Sequence, residues 1–233
     1  MENKDKKFLK IKSIRTSSRA FQMMLKENDI ILCLDGEFVN QTYEIFSKEL
    51  QQIVDKKILT LVRDEILFNT FIEGPLGVVC EEVSSKEITN LENLDLKKIL
   101  DLNSFYQQFE VYKKPQSVSV LLNTIPTILA SLAPPLWMVQ NKLWIFLGIS
   151  LIFYMVLFVV SPWLFFIGWI LKSWYVGSCQ IDILRYFYRF NNYRFWISFC
   201  EDSEKKAQQL ARKFDNKVDF DYSYLEPVIT QSD

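Results

Sequence analysis

The side chains that could do chemistry in this sequence are few and scattered. No histidine occurs, which removes zinc proteases of the HExxH kind, Ser-His-Asp and Cys-His hydrolases, and most general-base schemes built on imidazole. The four cysteines, Cys33, Cys80, Cys179 and Cys200, have no CxxC spacing. Cys33 and Cys80 sit inside apolar runs, so the cysteines are read as small buried hydrophobes rather than as ligands or a disulfide pair. The six glycines form neither a Gly-x-Gly-x-x-Gly fingerprint nor a P-loop, which leaves no phosphate cradle. Acidic pairs such as Asp64-Glu65 and Glu81-Glu82 are ordinary solvated charge. No catalytic residue, metal ligand or cofactor site is therefore expected, and the chain is read as a binder rather than an enzyme.

The distribution of charge divides the chain. Residues 1–115 hold 17 Lys/Arg against 19 Asp/Glu, residues 116–200 hold 5 against 1, and residues 201–233 hold 5 against 8. Two polar ends flank an almost uncharged middle that is rich in aromatic residues. The net charge of -1 provides no basic stripe to neutralise several phosphates, so nucleic acid is not an expected partner. The opening MENKDKKFLKIK is charged and is followed by no long apolar core, unlike a secretory signal, so the N-terminal part is expected to start in the cytoplasm.

The elements before residue 84 read as a small sheet with helices. Phe8-Leu-Lys-Ile-Lys-Ser-Ile14 alternates as a half-buried strand does, and SSRAFQMML suits a short helical turn. Asn28-Asp29 opens a strand over residues 30–34, and Asp35-Gly36 signals a tight turn into Glu37-Phe38-Val39. Residues 42–53 read as a helix with Phe46, Leu50 and Ile53 on one face. Two further strands are expected over residues 58–63 and 66–72, and a closing strand over residues 78–83.

This order of elements, with SSRAFQMMLKENDIILCLDGEFV, resembles a PDZ domain of the bacterial, circularly permuted type over residues 8–83. Asn28 stands where that family has Gly before Asp29, and Arg19 where it commonly has Pro or Ala. The resemblance implies capture of a protein C-terminus or extended segment by strand addition, with loop amides holding the terminal carboxylate. No Gly-Leu-Gly-Phe-like loop precedes Phe8, but the permuted order places one last, at Gly74-Pro75-Leu76-Gly77-Val78. The implied peptide-binding residues are Pro75, Leu76, Gly77 and Val78, with Tyr43 at the start of the helix that borders the groove. Read without the resemblance, Gly74-Pro75 is a turn and residues 78–83 a closing strand.

Residues 84–116 form a connector with a weakly amphipathic stretch through Leu91, Leu94, Leu96, Ile99, Leu100 and Leu102, read as a short helix or spacer. Residues 117–140 lack charge but carry Pro126, Pro134 and Pro135, which suits a segment lying at a membrane interface. Residues 143–171 make 29 positions without a charge; as one helix they would be about 43 Å long, beyond a hydrocarbon core of about 30 Å. Pro162 suits the first position of a second helix. A single kinked span and a transmembrane hairpin over residues 141–184 both remain open. Lys142 before the run and Arg185, Arg189 and Arg194 after it favour the hairpin with both ends cytoplasmic at the inner membrane. Lys172 and Asp182 are the awkward positions in its second leg.

Tyr112-Lys-Lys-Pro, Pro134-Pro-Leu-Trp137, Lys142-Leu-Trp144, Tyr193-Arg-Phe-Trp and Glu201-Asp-x-Glu204-x-x-Ala207 together resemble a family of uncharacterised bacterial inner-membrane proteins. That likeness covers residues 109–214 and implies a two-helix membrane domain with no known activity. Residues 185–233 are expected to form a cytoplasmic tail, with a strand over 193–200, a serine-capped helix over 203–214 and a loose acidic end. The expected fold class is thus an α+β PDZ-like domain, a transmembrane helical hairpin and a small C-terminal β-α tail.

Two functions follow from this layout. One is a membrane-anchored adaptor that binds protein C-termini or extended segments at the bilayer surface. The other is a structural or assembly membrane protein in which the PDZ-like fold has lost its groove and the helical hairpin makes the partner contacts; the lipid bilayer, and a second copy of the chain through the hairpin, are expected partners. An intramembrane protease of the metal or rhomboid-like kind fails on the missing histidines, and no Ser-Lys or Asp-Asp scheme is evident from the spacing of the hairpin's residues.

Overall fold

The computed structural model describes residues 7–84, 105–115 and 118–226; the amphipathic stretch expected at residues 91–102 lies outside them. In chain order the elements are β1 (Lys7–Ile14), α1 (Arg19–Gln22), β2 (Ile30–Leu34), β3 (Glu37–Phe38), α2 (Tyr43–Gln52), β4 (Lys57–Arg63), β5 (Ile66–Ile72) and β6 (Val78–Ser84). They continue with β7 (Gln107–Lys113), β8 (Val120–Asn123), α3 (Ile128–Leu132), α4 (Pro134–Gln140), α5 (Trp144–Val160), α6 (Pro162–Phe190), β9 (Arg194–Glu201) and α7 (Glu204–Phe214). The chain divides into two units: residues 1–123 with 195–233, and residues 124–194.

The first unit is built on a nine-stranded antiparallel sheet in the order β6-β1-β2-β4-β5-β9-β7-β8, with β3 paired to β2. Turn chemistry fixes its first half. Asp35 and Gly36 both have positive φ, 49° and 79°, as a two-residue turn between strands of right-handed twist demands, and Cys33 pairs with Phe38 across it. Asn28 has φ 74°, a left-handed conformation that its short polar side chain tolerates.

Side-chain alternation then sorts residues to the two faces of the sheet. Leu9, Ile11, Ile31, Leu59, Leu61 and Phe68 join the main core, whereas Phe8, Leu32, Val62 and Val83 form a smaller cluster. α2 buries Phe46 and Leu50 in the main core. One charged pair lies inside this unit: Arg63 meets Asp29 through Nε and Nη2, both at 2.7 Å, and also donates to the Met24 carbonyl.

The C-terminal segment belongs to this sheet and is not an appended tail. β9 pairs with β5 through Asn69 and Cys200, and Ile197, Phe199, Ala207, Leu210 and Ala211 enter the main core. Beyond α7, Val218 and Phe220 are buried, and Ser119 and Phe220 form a β-bridge, so the described part of the acidic end is not loose. Ser203 precedes α7 as expected, but its hydroxyl meets the Asp202 carboxylate and caps no backbone amide.

The second unit overturns the transmembrane assignment. Among the described residues, no helix is long and apolar enough to cross a membrane. The 29-residue uncharged run is divided: Ser161, with φ -167° and ψ 134°, ends α5, and Pro162 begins α6. α5 has 17 residues and is therefore about 25 Å long, short of a hydrocarbon core of about 30 Å. α6 has 29 residues but loses its apolar character from Lys172 onward, through Ser173, Ser178, Gln180 and Asp182. The inner-membrane location with two cytoplasmic ends was inferred from that hairpin and is withdrawn with it. Within residues 118–140 lie β8, α3 and α4, and Trp137 is 1 % exposed.

α5 and α6 pack as a helical hairpin about aromatic contacts. Tyr154 stacks on Trp169 at 5.3 Å and meets Phe165 edge-on. Its polar groups are turned inward: Ser150 and Gln180 are buried, Lys172 donates to Ser150, and Gln180 Oε1 accepts from the Thr127 amide at 2.8 Å. Desolvation holds the Lys172 ammonium below the usual lysine range.

Candidate peptide-binding groove

Among the described residues, β6 is an edge strand, paired with β1 alone. α2 lies beside its other edge, where the Tyr43 hydroxyl donates to the Val78 carbonyl. An unpaired strand edge flanked by a helix is the geometry in which an extended segment can add to a sheet.

The loop that feeds β6 turns through two positive-φ glycines, Gly74 at 84° and Gly77 at 70°. Its carbonyls set the direction of its amides. The Ala20 amide donates to the Leu76 carbonyl at 3.1 Å, and the Arg15 amide donates to the Gly77 carbonyl at 3.3 Å. In a trans peptide the C=O and the following N–H point opposite ways. The Gly77 amide therefore points away from Ala20 of α1, and the Val78 amide away from Arg15 at the end of β1. In extended backbone, the Val78 carbonyl shares the side of its own amide, as its bond to Tyr43 shows.

The sequence-derived residues thus separate by role. Gly77 and Val78 present outward-facing backbone groups. Leu76 is 1 % exposed and Val78 is also buried, so their side chains serve the core. Pro75 is exposed and has no amide to give. Tyr43 is half-buried and spans to Val78, a contact 35 positions apart in the chain. A Cβ at Gly77 would lie 2.6 Å from the Ser18 Cβ, so a side chain there collides with the α1 N-cap as well as straining the backbone.

One residue was missed by sequence reasoning. Arg19 was read only as a departure from Pro or Ala, yet its Nη1 lies 3.6 Å from where a Cβ of Gly74 would be, and the Leu50 and Ile53 carbonyls are 3.9 Å from the same point. A guanidinium thus stands at the loop, beside the C-terminal end of α2. No local signal marked it, because α1 and the loop lie more than fifty residues apart in the chain.

Burial suppresses two of the thiols. Cys80, on β6, has its thiol pushed up to about 12 by burial, and burial raises Cys200 as well; neither carries thiolate near neutral pH. All four are free. A cavity of about 320 Å³ lies elsewhere, lined by Leu34, Glu37, Phe38, Val39, Asn40, Gln41 and Glu49; Gln41 donates to Glu49 there at 2.6 Å. Among the described residues, no group of three His, Cys, Asp or Glu side chains could hold a metal ion. No family model matches the chain, and a search of curated proteins finds no match.

Proposed function

We propose that the chain is an adaptor whose sheet unit captures the C-terminus or an extended segment of another protein, added as a strand along β6 in the manner of a PDZ-like module. The observation that carries this reading is the pair of outward-pointing amides at Gly77 and Val78 on the open edge of β6, with Arg19 at the same loop. Two amides and a guanidinium suit a terminal carboxylate, since charge-assisted hydrogen bonds are the stronger kind. The β6 backbone would supply affinity and the α2 face selectivity.

The test is fluorescence anisotropy of the full chain in mild detergent against labelled peptides with free carboxyl ends and randomised final positions. Binding is expected, and amidating the termini should weaken it by about 10- to 100-fold, the value of lost charge-assisted bonds. Absence of binding across the library, or indifference to amidation, would overturn carboxylate capture.

A second reading is favoured by the outside of the hairpin. Ile145, Ile152, Met155, Val159, Trp163 and Ile170 are each more than half exposed, a larger apolar surface than an isolated monomer usually carries. In this reading the chain is an assembly protein, and the sleeve of α5 and α6 is covered by a second copy or by a lipid surface. Sedimentation equilibrium across a range of detergent concentrations separates the two: a constant protein dimer supports self-assembly, and a monomer carrying detergent supports a lipid-like cover.

A further inference from the structure

We propose that Tyr43 is a latch on the β6 groove, holding with its hydroxyl the carbonyl that an incoming strand needs. The inference rests on the reading of β6 as a capture edge and specifies how that edge is regulated. Tyr43 is the first residue of α2, and its ring packs against the main core while its O–H donates to Val78.

A strand joining β6 would pair with the outward N–H and C=O of alternate residues. Val78 is the first β6 residue after the loop, so its carbonyl is the first acceptor next to the amides that face a carboxylate. A carbonyl has a second lone pair, but an added strand must run about 4.8 Å from β6. A phenol within hydrogen-bond reach of Val78, on that side, stands in the strand's place. Capture therefore requires the Tyr43–Val78 bond to break and the ring to leave.

In energetic terms the groove has a closed, latched state and an open, binding state. Apparent affinity is the intrinsic affinity scaled by the open fraction. Tyr43→Phe keeps the ring's packing and deletes the donor, which enlarges the open fraction. Since one such bond is worth roughly 0.5–1.5 kcal/mol, affinity should rise by about two- to tenfold.

The experiment compares the full chain with Tyr43→Phe and Tyr43→Leu, in mild detergent, using the same labelled peptides with free carboxyl ends and randomised final positions. Chemical denaturation of each variant establishes that it is folded. A two- to tenfold gain for Tyr43→Phe, together with a shift of the Tyr43 ring resonance when the wild-type chain is saturated with peptide, is the expected result. Equal or weaker binding by folded Tyr43→Phe, or an unmoved Tyr43 resonance at saturation, would overturn the latch while leaving strand capture standing. No binding by any of the three chains would overturn both.

Discussion

Val54 follows α2 in the sheet unit and is 89 % exposed, with charged Asp55 and Lys56 next to it; Val159 in α5 is 78 % exposed, with Met155, Val156, Phe158 and Val160 exposed around it. The insides differ in the opposite sense. The sheet unit buries Phe, Leu and Ile, and the charged pair it buries, Arg63 with Asp29, is held by two direct hydrogen bonds. α5 buries Ser150 and Tyr154 instead. An isolated apolar residue at a surface needs no partner, but a sleeve of them does. The sheet unit thus exposes an isolated apolar residue among charges, whereas the hairpin exposes a continuous apolar sleeve, and the two readings of function are sought at a strand edge in one and at an outer surface in the other.

The largest effect expected from this contrast lies in the sheet unit. Replacing Arg63 by Leu strands Asp29, which is 0 % exposed, and should cost about 3–5 kcal/mol of stability. Adding Asp29→Leu should return much of that loss, because an apolar pair of suitable volume can replace a buried ion pair. Equilibrium denaturation of the single and double variants is the measurement. In the hairpin the matching change is Gln180→Leu, which removes the partner of the Thr127 amide and hydroxyl; about 1–2 kcal/mol is expected, since Thr127 remains within reach of solvent. A loss as large as that of Arg63→Leu would show that the hairpin depends on its polar interior as strongly as the sheet unit depends on its ion pair.

A smaller effect tests the outsides. Val54→Gln should change stability and detergent requirement by no more than about 0.5 kcal/mol equivalent. Val159→Gln with Ile152→Gln should lower the detergent bound per chain or the fraction of dimer. Identical behaviour of the two surfaces would remove the contrast. The smallest effect is a pH dependence. A hydrogen bond from Lys113 at 2.7 Å holds the Asp215 carboxyl below its usual range. A depressed carboxyl adds stability above its unfolded pKa, about 3.9, and loses it as pH falls through the folded value. Asp215 is 40 % exposed, so Asp215→Asn should cost under about 1 kcal/mol at pH 7. The gap between variant and wild type should narrow as pH falls below about 3.9 and vanish only below the folded carboxyl's depressed pKa.

Much of the first half of the fold was legible because local rules decide it. Alternation and turn chemistry placed β2, β4 and β5, and the spacing of Phe46, Leu50 and Ile53 placed α2 within a residue or two. The pairing of β9 with β5 was not legible: alternation marks a strand but not its neighbour, and more than a hundred residues separate Asn69 from Cys200. Pro162 marked the break between α5 and α6 correctly; what misled was reading both legs as membrane-spanning, since α5 is only 17 residues long and α6 turns polar from Lys172. At the groove, the glycines of the loop were readable from composition. The Tyr43–Val78 bond was not, since it depends on where α2 lies against β6, and Arg19 was noticed only for what it replaced.

The most direct test of strand capture is to locate it. Amide resonances of the full chain, followed in mild detergent during titration with a binding peptide bearing a free carboxyl end, should move first and furthest at Gly77 and Val78 and along β6. Those of α5 and α6 should stay in place. Shifts confined to the hairpin, or movement at Gly77 and Val78 that an amidated peptide reproduces in full, would contradict capture of a terminal carboxylate on this edge.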